Sequence, residues 1–300
     1  MDARSQASGS QASGSQASGP QASGHQVLPT NSFDIGTARR RCLGYRRRIL
    51  DISQQVTALH IAPAFSCLEI VDTLYHALMT RAADGASRDT FLMSKGHGCM
   101  AQYVILEDLG ILTTRDLALY CKVGGQLGAH PDYGVPGIAA STGSLGHGLG
   151  MAVGMSYADR LKGDDRAVYA LLGDGEMQEG SIWEAIMMAA NLRLNRLVVI
   201  ADVNDFQGLG RTSETHPFFY PVPEKAIAFG WEATEVNGHD HQAIFDAIAG
   251  RHGDKPFLLV CRTVKGRGVS YMEHVPIWHY RSPNPQEYQQ AIAALGEVSS

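Results

Sequence analysis

The stretch AVYALLGDGEMQEG, residues 167–180, is an apolar run that ends at Gly173-Asp174-Gly175 and continues into acidic residues. An uninterrupted apolar run of this length is typical of a strand that is buried on both faces of a parallel sheet. Residues 178–192 fit a helix, and residues 197–201 form a second apolar run. The order of strand, helix and strand predicts a right-handed crossover between parallel strands.

The same pattern recurs on both sides of this unit. Upstream, residues 37–56 fit an amphipathic helix, and residues 66–79 fit another helix with Ser66 as its N-cap. Residues 91–93 fit a buried strand. Downstream, we expect a strand, a helix and a strand at residues 232–236, 241–248 and 257–261. The sequence therefore predicts an α/β fold with a doubly wound, mostly parallel sheet flanked by helices.

Composition excludes several classes of function. The chain has 300 residues, 44% of them hydrophobic, and a formal net charge of -5 at pH 7. Nucleic-acid-binding proteins usually carry a basic surface, so we expect no nucleic-acid partner. No apolar stretch is long enough to cross a membrane, and the N-terminus lacks the hydrophobic segment of a signal peptide. We therefore expect no membrane partner and a cytoplasmic location.

The N-terminal segment repeats the unit QASGS from residue 6 onward. Small polar units of this kind bury too little apolar surface to offset the chain entropy lost on folding. We predict a disordered low-complexity tail over residues 1–32 and one folded domain over residues 33–300. Because no C-x-x-C pair occurs, we predict buried thiols rather than disulfides or metal ligands. The cysteines are Cys42, Cys67, Cys99, Cys121 and Cys261.

Arginines are concentrated on the first predicted helix, at positions 39–41 and 46–48. Two interpretations stay open for this cluster, a solvated helix face and a docking surface for an acidic partner. His239 and His241 form an H-x-H pair, but without cysteine pairs or an H-E-x-x-H helix we do not assign them to zinc.

Two polar turns follow the buried strands at 167–172 and 197–201. In open α/β sheets, ligands bind beyond the carboxyl ends of the strands, where glycine allows the backbone to come close and a helix N-terminus favours an anion. A diphosphate suits this position, but Asp174 would repel it unless a cation lay between them. Magnesium prefers oxygen ligands and often joins protein groups to phosphate oxygens. The side chains of Asp174 and Asn204 and the backbone carbonyl of Phe206 are the predicted metal ligands.

An isolated G-D-G is more often only a tight turn. Here Asn204 follows Asp174 by thirty residues, which is enough for one helix and one strand. That length allows the second turn to lie beside the first, and the combination favours a metal and diphosphate site.

At this point the sequence resembles a known family. The G-D-G turn with Asn204 resembles the thiamine-diphosphate-binding motif, and residues 173–180 with Trp183-Glu184-Ala185 resemble its transketolase form. The likeness runs from about residue 49 to residue 283 and includes several loops in the expected order. These loops are Leu59-His60-Ile61-Ala62, Ser94-Lys95-Gly96-His97-Gly98, Gly128-Ala129-His130-Pro131, residues 142–148 (TGSLGHG), and residues 265–270 (KGRGVS) through Trp278-His279.

The resemblance implies a thiamine-diphosphate-binding fold and assigns site residues. Any one histidine, taken alone, is more readily a structural residue, but four in motif-matched loops are expected to meet at one edge of the sheet. The implied catalytic residues are His60, His97, His130 and His279. The implied cofactor-binding residues are His97, Gly143, Ser144, Leu145, Gly173, Asp174, Gly175, Glu176, Asn204 and His279. The implied cofactors are thiamine diphosphate and Mg²⁺.

The resemblance also implies an activity and a partner. Transketolases transfer a two-carbon ketol unit from a ketose to an aldose, so sugars or sugar phosphates are the expected substrates. In the family, a second domain covers the aminopyrimidine ring and contributes a glutamate, and this chain ends before such a domain. We therefore expect the N-terminal subunit of a split transketolase, with a C-terminal, pyrimidine-binding partner subunit in an α2β2 heterotetramer. Glu179 matches a family residue at the subunit interface, although a plain surface acid is the alternative.

Several positions differ from the family pattern. His60-Ile61-Ala62-Pro63 replaces His-Pro-Gly, Ser144 replaces a proline, His147 replaces a glutamine, and Tyr280-Arg281-Ser282-Pro283 replaces Gly-Lys-Ala-Pro. These changes favour a specialised donor or acceptor. Two other functions stay open: the α subunit of another thiamine-diphosphate enzyme, acting on 2-oxo acids or resembling deoxyxylulose-phosphate synthase, and a catalytically silent binding subunit.

Overall fold

The computed structural model of the chain describes residues 33–56, 59–82, 87–208 and 210–297. The predicted tail, residues 1–32, lies outside these ranges, as do the last three residues of the predicted domain. The helices are α1 (Ile35–Ser53), α2 (Ile61–Thr73), α3 (Cys99–Asp108), α4 (Thr114–Ala118), α5 (Gly148–Lys162), α6 (Gly180–Asn191), α7 (Thr212–Thr215), α8 (Val222–Ala228), α9 (His241–Ala249) and α10 (Pro285–Glu297). The strands are β1 (Thr90–Met93), β2 (Val168–Gly173), β3 (Leu197–Val203), β4 (Phe206–Gln207), β5 (Gly210–Arg211), β6 (Glu232–Asn237) and β7 (Phe257–Arg262).

Five of the strands form one parallel sheet in the order β1-β2-β3-β7-β6. The register pairs Gly173 with Asp202 and Asp202 with Cys261, so β2, β3 and β7 end nearly level. β4 and β5 form a small antiparallel hairpin just after β3. Since parallel strands present their carboxyl ends at one edge, the loops that follow β1, β2, β3 and β7 are brought together there.

The central strands of the sheet are buried on both faces. Alternate residues of each strand point to opposite sides, so Tyr169 and Leu171 pack with α1, α2, α3, α9 and α10, while Ala170 and Leu172 pack with α5, α6 and α8. This two-sided burial explains why β2 and β3 are apolar along most of their length. The prediction of a doubly wound, mostly parallel α/β fold is confirmed.

Helix α2 begins earlier than predicted. It begins at Ile61, with Pro63 in the first turn, where its missing N–H leaves no hydrogen bond unmade. The prediction that Ser66 is the N-cap is wrong. Ser66 lies inside the helix, and its hydroxyl donates to Asp202 Oδ2 at 2.6 Å, with the Pro63 carbonyl oxygen 2.9 Å away.

Three of the six arginines on α1 form ion pairs with the neighbouring helices α2 and α3. Arg41 donates to both oxygens of Asp72 at 2.7 and 2.9 Å, and Arg48 pairs with Glu107. Arg46 is buried against Glu69, with Nη1 and Oε1 2.7 Å apart. These three arginines therefore join α1 to α2 and α3 instead of forming a solvated face.

The prediction of buried cysteines holds for four of the five. Cys42, Cys67, Cys99 and Cys261 are buried free thiols, whereas Cys121 is exposed. Cys121 adopts a left-handed backbone conformation, with φ of 52°, in the turn after α4. The sequence pattern around it, Leu-Tyr-Cys, is apolar but ends in this turn.

Packing in the centre of the sheet should dominate the stability of the chain. Leu171 is fully buried in β2, and we expect Leu171→Ala to reduce the free energy of unfolding by about 2–5 kcal/mol, through lost contacts and a cavity. Val123 is fully exposed, so Val123→Ala should change the free energy of unfolding by less than about 0.5 kcal/mol. Urea denaturation of both variants compares them, and equal effects would contradict this account of the core.

Candidate functional site

A cavity of about 520 Å³ opens at the carboxyl edge of the sheet, beyond β2, β3 and β7. Its wall combines the G-D-G turn, the turn after β3, the four histidine-bearing loops predicted from the sequence, and His216 at the end of α7. The residues that line it are His60, Pro63, Lys95, His97, His130, Gly143, Leu145, Gly173, Asp174, Gly175, Glu176, Gln178, Glu179, Asn204, Phe206, Gln207, Gly208, His216, Lys265, His279 and Tyr280. The two polar turns predicted from the sequence therefore share one site.

Asp174 is almost fully buried in this wall. Its Oδ1 accepts from the Gly175 N–H at 3.0 Å, and its Oδ2 accepts from the Asp205 N–H at 2.7 Å. Burial, together with the negative charge of Asp202, raises the pKa of Asp174 to about 7. No lysine or arginine in the described ranges forms an ion pair with it. The ionised carboxylate is therefore costly unless a cation neutralises it.

The turn after β3 presents the other two predicted ligands. Asn204 Oδ1 accepts from the Phe206 N–H at 3.1 Å, and Asp205 between them has a left-handed backbone with φ of 67°. The Asp205 side chain fixes this turn by accepting from the Ser213 N–H at 2.8 Å and from Arg211 at 3.1 Å. Asn204 is buried and, with Phe206, lines the cavity beside Asp174.

These groups fit a hard divalent cation. A carboxylate, an amide oxygen and a backbone carbonyl are the oxygen donors that Mg²⁺ takes from proteins. The raised pKa of Asp174 indicates a negative charge that the described residues leave without a direct counter-ion. Which atoms coordinate the ion stays a prediction for Asp174, Asn204 and Phe206.

A buried ion pair lies directly beneath the turn after β3, and its two residues were not among the site residues predicted from the sequence. Lys95 Nζ contacts Asp202 Oδ2, and both side chains are almost completely buried. Asp202 also accepts from Ser66 and Thr263, and Asn204 Nδ2 lies 3.4 Å from its Oδ2. Burial would raise the pKa of Asp202, but Lys95 and these donors hold it below its usual value.

The sequence did carry a signal for this pair. Asp202 is an acid at the end of an otherwise apolar strand, and such a residue is rarely buried without a partner. Lys265 is a second missed lysine. It lines the cavity, contacts His279 Nδ1, and has its pKa lowered to about 8, mainly by burial.

The four predicted histidines meet in the same cavity as the Gly173-Asp174-Gly175 turn. The His60 ring centroid lies 5.9 Å from that of His97, 6.0 Å from that of His130 and 5.8 Å from that of His279. His97 and His279 are 5.2 Å apart. The four rings therefore form one cluster, contributed by the loops that precede α2, α3 and α5 and that follow β7.

Burial favours the uncharged form of three of the four rings, those of His60, His97 and His279. Burial and the neighbouring His130 and Lys265 lower the pKa of His60 to about 4. Burial and Lys265 lower the pKa of His279 to about 3, and the pKa of His97 also falls well below its usual value, mainly because of burial. His60 Nδ1 is buried without a hydrogen-bond partner among the described residues. Neutral imidazoles of this kind can both donate to and accept from a bound hydroxyl.

The loop at residues 142–148 packs tightly against the histidine loops. Gly96 has φ of 22°, and a Cβ on it would lie 2.5 Å from Gly143 Cα and 2.9 Å from His130 Cδ2. Gly143 itself has φ of 126° and would clash with His130 if it carried a side chain. Both positions therefore require glycine.

The remaining residues that were predicted to bind the cofactor do not all line the cavity. Gly173, Gly175, Glu176 and Leu145 line the cavity, whereas Ser144 is exposed and lies outside its lining. Glu176 accepts from Ser94, Gly146 and Gly173, so it links three segments of the wall. Its carboxylate is already engaged by these donors. Cofactor contact by each of these residues stays a prediction.

The H-x-H pair does not form a joint site. His239 lies 3.0 Å from Glu69 Oε2, while His241 Nε2 lies 3.5 Å from Cys42 Sγ and 3.5 Å from Asp72 Oδ2. Cys42, Asp72 and His241 are close enough to hold a metal. However, Arg41 already donates to both oxygens of Asp72, so we interpret the group as a buried ion-pair cluster.

Comparison with known proteins agrees with this geometry. Residues 39–281 match the family model described as "Transketolase, thiamine diphosphate binding domain". The chain belongs to the transketolase family. The resemblance seen in its motifs is thereby confirmed, and thiamine diphosphate is the cofactor that the family implies.

Two similar proteins are named as subunits of transketolases. The chain is 38% identical over 257 residues to an apulose-4-phosphate transketolase subunit of Phocaeicola vulgatus, covering 84% of this chain and 91% of that protein. It is 34% identical over 242 residues to a 6-deoxy-6-sulfo-D-fructose transketolase subunit of a Clostridium species, covering 79% of this chain and 88% of that protein. The match therefore spans nearly the whole of each of these proteins.

Solved transketolases share the fold. The enzyme of Campylobacter jejuni superposes with a TM-score of 0.75 at 23% identity, over 89% of this chain and 47% of that chain. The enzyme of Leishmania mexicana superposes with a TM-score of 0.71 at 26% identity, over 87% of this chain and 45% of that chain. The chain thus spans less than half the length of these transketolases. Among the described residues, none of the helices has the length and apolar character needed to cross a bilayer.

Titration of Asp174 should leave a signature in stability. Its pKa of about 7 is above the usual value of 3.8, so between about pH 4 and pH 7 the folded chain holds a proton that the unfolded chain has released. The free energy of unfolding therefore falls as pH rises through this window. Asp174→Asn lacks this titration. Without divalent cations, we expect its stability advantage over the wild type to grow by about 1–3 kcal/mol from pH 5 to pH 7.

Urea denaturation at several pH values measures this difference. The histidines with lowered pKa make the free energy of unfolding rise with pH, because the folded chain binds fewer protons on them than the unfolded chain does. They are present in both proteins, so their effect cancels in the difference. A difference that is independent of pH would show that Asp174 is ionised throughout.

Proposed function

We propose that the chain is the N-terminal subunit of a split transketolase that transfers a two-carbon ketol unit from a ketose to an aldose. The observation that carries the proposal is the convergence of Asp174 and the Asn204 turn with four histidines in one cavity. Asp174 and the Asn204 turn suit a cation and a diphosphate. The four histidines suit a polyhydroxylated substrate.

Asp174, Asn204 and the Phe206 carbonyl are the groups that would hold Mg²⁺, and the ion would in turn hold the diphosphate. Gly173 and Gly175 leave the backbone accessible beside them. The raised pKa of Asp174 supports this role, because a divalent cation would favour the ionised form that burial disfavours. Thiamine diphosphate supplies, when bound, the electron sink that side chains cannot provide.

The histidines bind and orient the sugar in this proposal. His60 Nδ1 is buried without a partner in the described structure, so a substrate hydroxyl or carbonyl oxygen can take that place. Lys265 contacts Nδ1 of His279, which directs the other nitrogen of that ring away from the lysine. Because their pKa values are lowered, His60 and His279 favour the neutral form, in which a ring nitrogen can accept a hydrogen bond from a substrate hydroxyl.

The partner subunit is part of the proposal. Exposed residues of α5 and α6 form one surface, the α5–α6 face, which is defined by Gly150, Gly154, Tyr157, Leu161, Ser181, Glu184, Met187 and Met188. Side chains added at Gly150 or Gly154 would meet nothing in the described structure. Leu161, Met187 and Met188 are 69%, 49% and 52% exposed.

This face is continuous with the cavity. Leu145 and Glu179 are exposed residues of the cavity wall, and they lie just before the first residues of α5 and α6. A chain that covered the α5–α6 face would therefore reach the mouth of the cavity. We assign the face to a C-terminal, pyrimidine-binding subunit, with Glu179 at the contact and an α2β2 assembly.

The substrates proposed are sugars or sugar phosphates. The two relatives are named for apulose 4-phosphate and a sulfonated fructose, so similar chains are named for different ketoses. Two residues that differ from the common family pattern support a specialised substrate. Tyr280 lines the cavity, and His147 Nδ1 lies 3.1 Å from the carbonyl oxygen of Leu145 in its wall. The proposal includes a cytoplasmic location, on the composition of the sequence alone.

Reconstitution tests the function. Mixed with a pyrimidine-binding transketolase subunit, thiamine diphosphate and Mg²⁺, the chain should transfer a ketol unit from a ketose donor to an aldose acceptor. Asp174→Ala should lower cofactor affinity at least about 100-fold, measured by calorimetry, because it removes the charged ligand. Asp254→Ala, at an exposed position, is the control and should bind like the wild type.

Three outcomes would contradict the proposal. Transfer from 2-oxo acids but not from ketoses would favour another thiamine-diphosphate enzyme. Cofactor binding without any turnover in the complex would favour a silent subunit. Unchanged binding by Asp174→Ala would remove the metal assignment.

The α5–α6 face gives a separate prediction. Leu161→Glu combined with Met188→Glu should weaken binding of the partner at least about tenfold, because charges would be buried against it. Val123→Glu, at a fully exposed position outside this face, should leave binding unchanged. Analytical ultracentrifugation measures both, and normal assembly of the double variant would place the interface elsewhere.

A further inference from the structure

Tyr280 lies over the histidine cluster at the mouth of the cavity. Its ring centroid lies 4.3 Å from that of His279 and 5.7 Å from that of His60. Its hydroxyl lies 3.5 Å from the position that a Cβ on Gly208 would occupy. The ring therefore bridges the space between the histidines and the turn that follows β4.

The backbone on both sides of Tyr280 is anchored. Trp278 is buried, and the Arg281 guanidinium stacks on its ring at 4.6 Å and pairs with Glu287 on α10. Two residues further on, the Pro283 carbonyl accepts from Gln54 Nε2 at 3.0 Å. The ring is thus held over the cavity by a segment fixed to α10 and to the end of α1.

Tyr280 is nevertheless available to a ligand. It is 65% exposed although it lines the cavity, and its hydroxyl has no hydrogen-bond partner among the described residues. An aromatic ring presents an apolar face to the C–H groups of a sugar, and its hydroxyl can donate or accept one hydrogen bond. The side chain therefore has the chemistry and the position to contact the part of a sugar that extends out of the cluster.

We propose that Tyr280 is a specificity-determining residue that limits the length of the aldose acceptor. The inference rests on the proposed ketol transfer, and it identifies the residue that would select among the aldose acceptors. In this proposal, an acceptor whose aldehyde lies among His60, His97 and His279 extends its remaining carbons past the ring of Tyr280. A short or compact chain fits beneath the ring, whereas a linear five-carbon chain directed toward Gly208 meets it.

Acceptor preference tests this inference directly. In the complex with the partner, and with erythrulose as donor, kcat/KM is measured for glycolaldehyde, with two carbons, and for ribose 5-phosphate, with five. Tyr280→Ala should raise the ratio of long to short acceptor about tenfold, because the mouth opens. Tyr280→Phe should keep the ratio within about twofold of the wild type, since the ring remains.

Tyr133→Ala is the matched control. Tyr133 is 78% exposed and lies outside the cavity lining, so this variant should keep the wild-type ratio. A ratio that Tyr280→Ala leaves unchanged, in a complex that transfers ketol normally, would overturn the inference and leave the proposed function intact. A wild-type complex that binds the cofactor but transfers a ketol unit from no ketose to any aldose would refute the proposed function itself.

A second measurement requires no turnover. Diethyl pyrocarbonate modifies accessible neutral imidazoles, and mass spectrometry locates the products. In the chain alone, Tyr280→Ala should speed the modification of His60 and His279 relative to wild type, whereas Tyr280→Phe should not. Equal rates in all three proteins would show that the ring does not cover the cluster and would overturn the inference independently of activity.

Discussion

The Lys95–Asp202 ion pair is the interaction on which the site depends. Asp202 collects hydrogen bonds from Ser66 on α2 and from Thr263 beyond β7, while Lys95 follows β1. One buried carboxylate thus ties four separate segments together at the edge of the sheet. Removing either charge would leave the other buried and unpaired, which typically costs about 3–5 kcal/mol. The same carboxylate contributes to the raised pKa of Asp174. Asp202 therefore both holds the four segments together and favours a cation beside Asp174.

Much of the fold could be predicted because its strands obey a simple rule. β2, β3 and β7 are buried on both faces, so they appear as apolar runs followed by polar turns. The start of α2 could not be predicted in this way, since residues 61–73 are all buried and show no amphipathic period. Cys121 was mispredicted for a related reason, because an apolar neighbourhood does not show where a turn brings a side chain to the surface.

Site residues that belong to short sequence motifs could be predicted. Those whose role depends on a partner far away in the chain could not. The four histidines and the Asp174 and Asn204 turns are recognisable in short segments, and the fold brings them to one cavity. Lys95, Asp202 and Lys265 were missed because their importance lies in contacts between residues far apart in the chain. Ser144 shows the converse. It belongs to a matching motif, yet its side chain lies outside the cavity lining.

The close contact of Gly96, Gly143 and His130 has a consequence for protein engineering. These three residues come from three loops, and the space between them is too small for one methyl group. A loop transplanted singly from a relative with another backbone path would collide with the two that remained. The three loops should therefore be grafted as one unit.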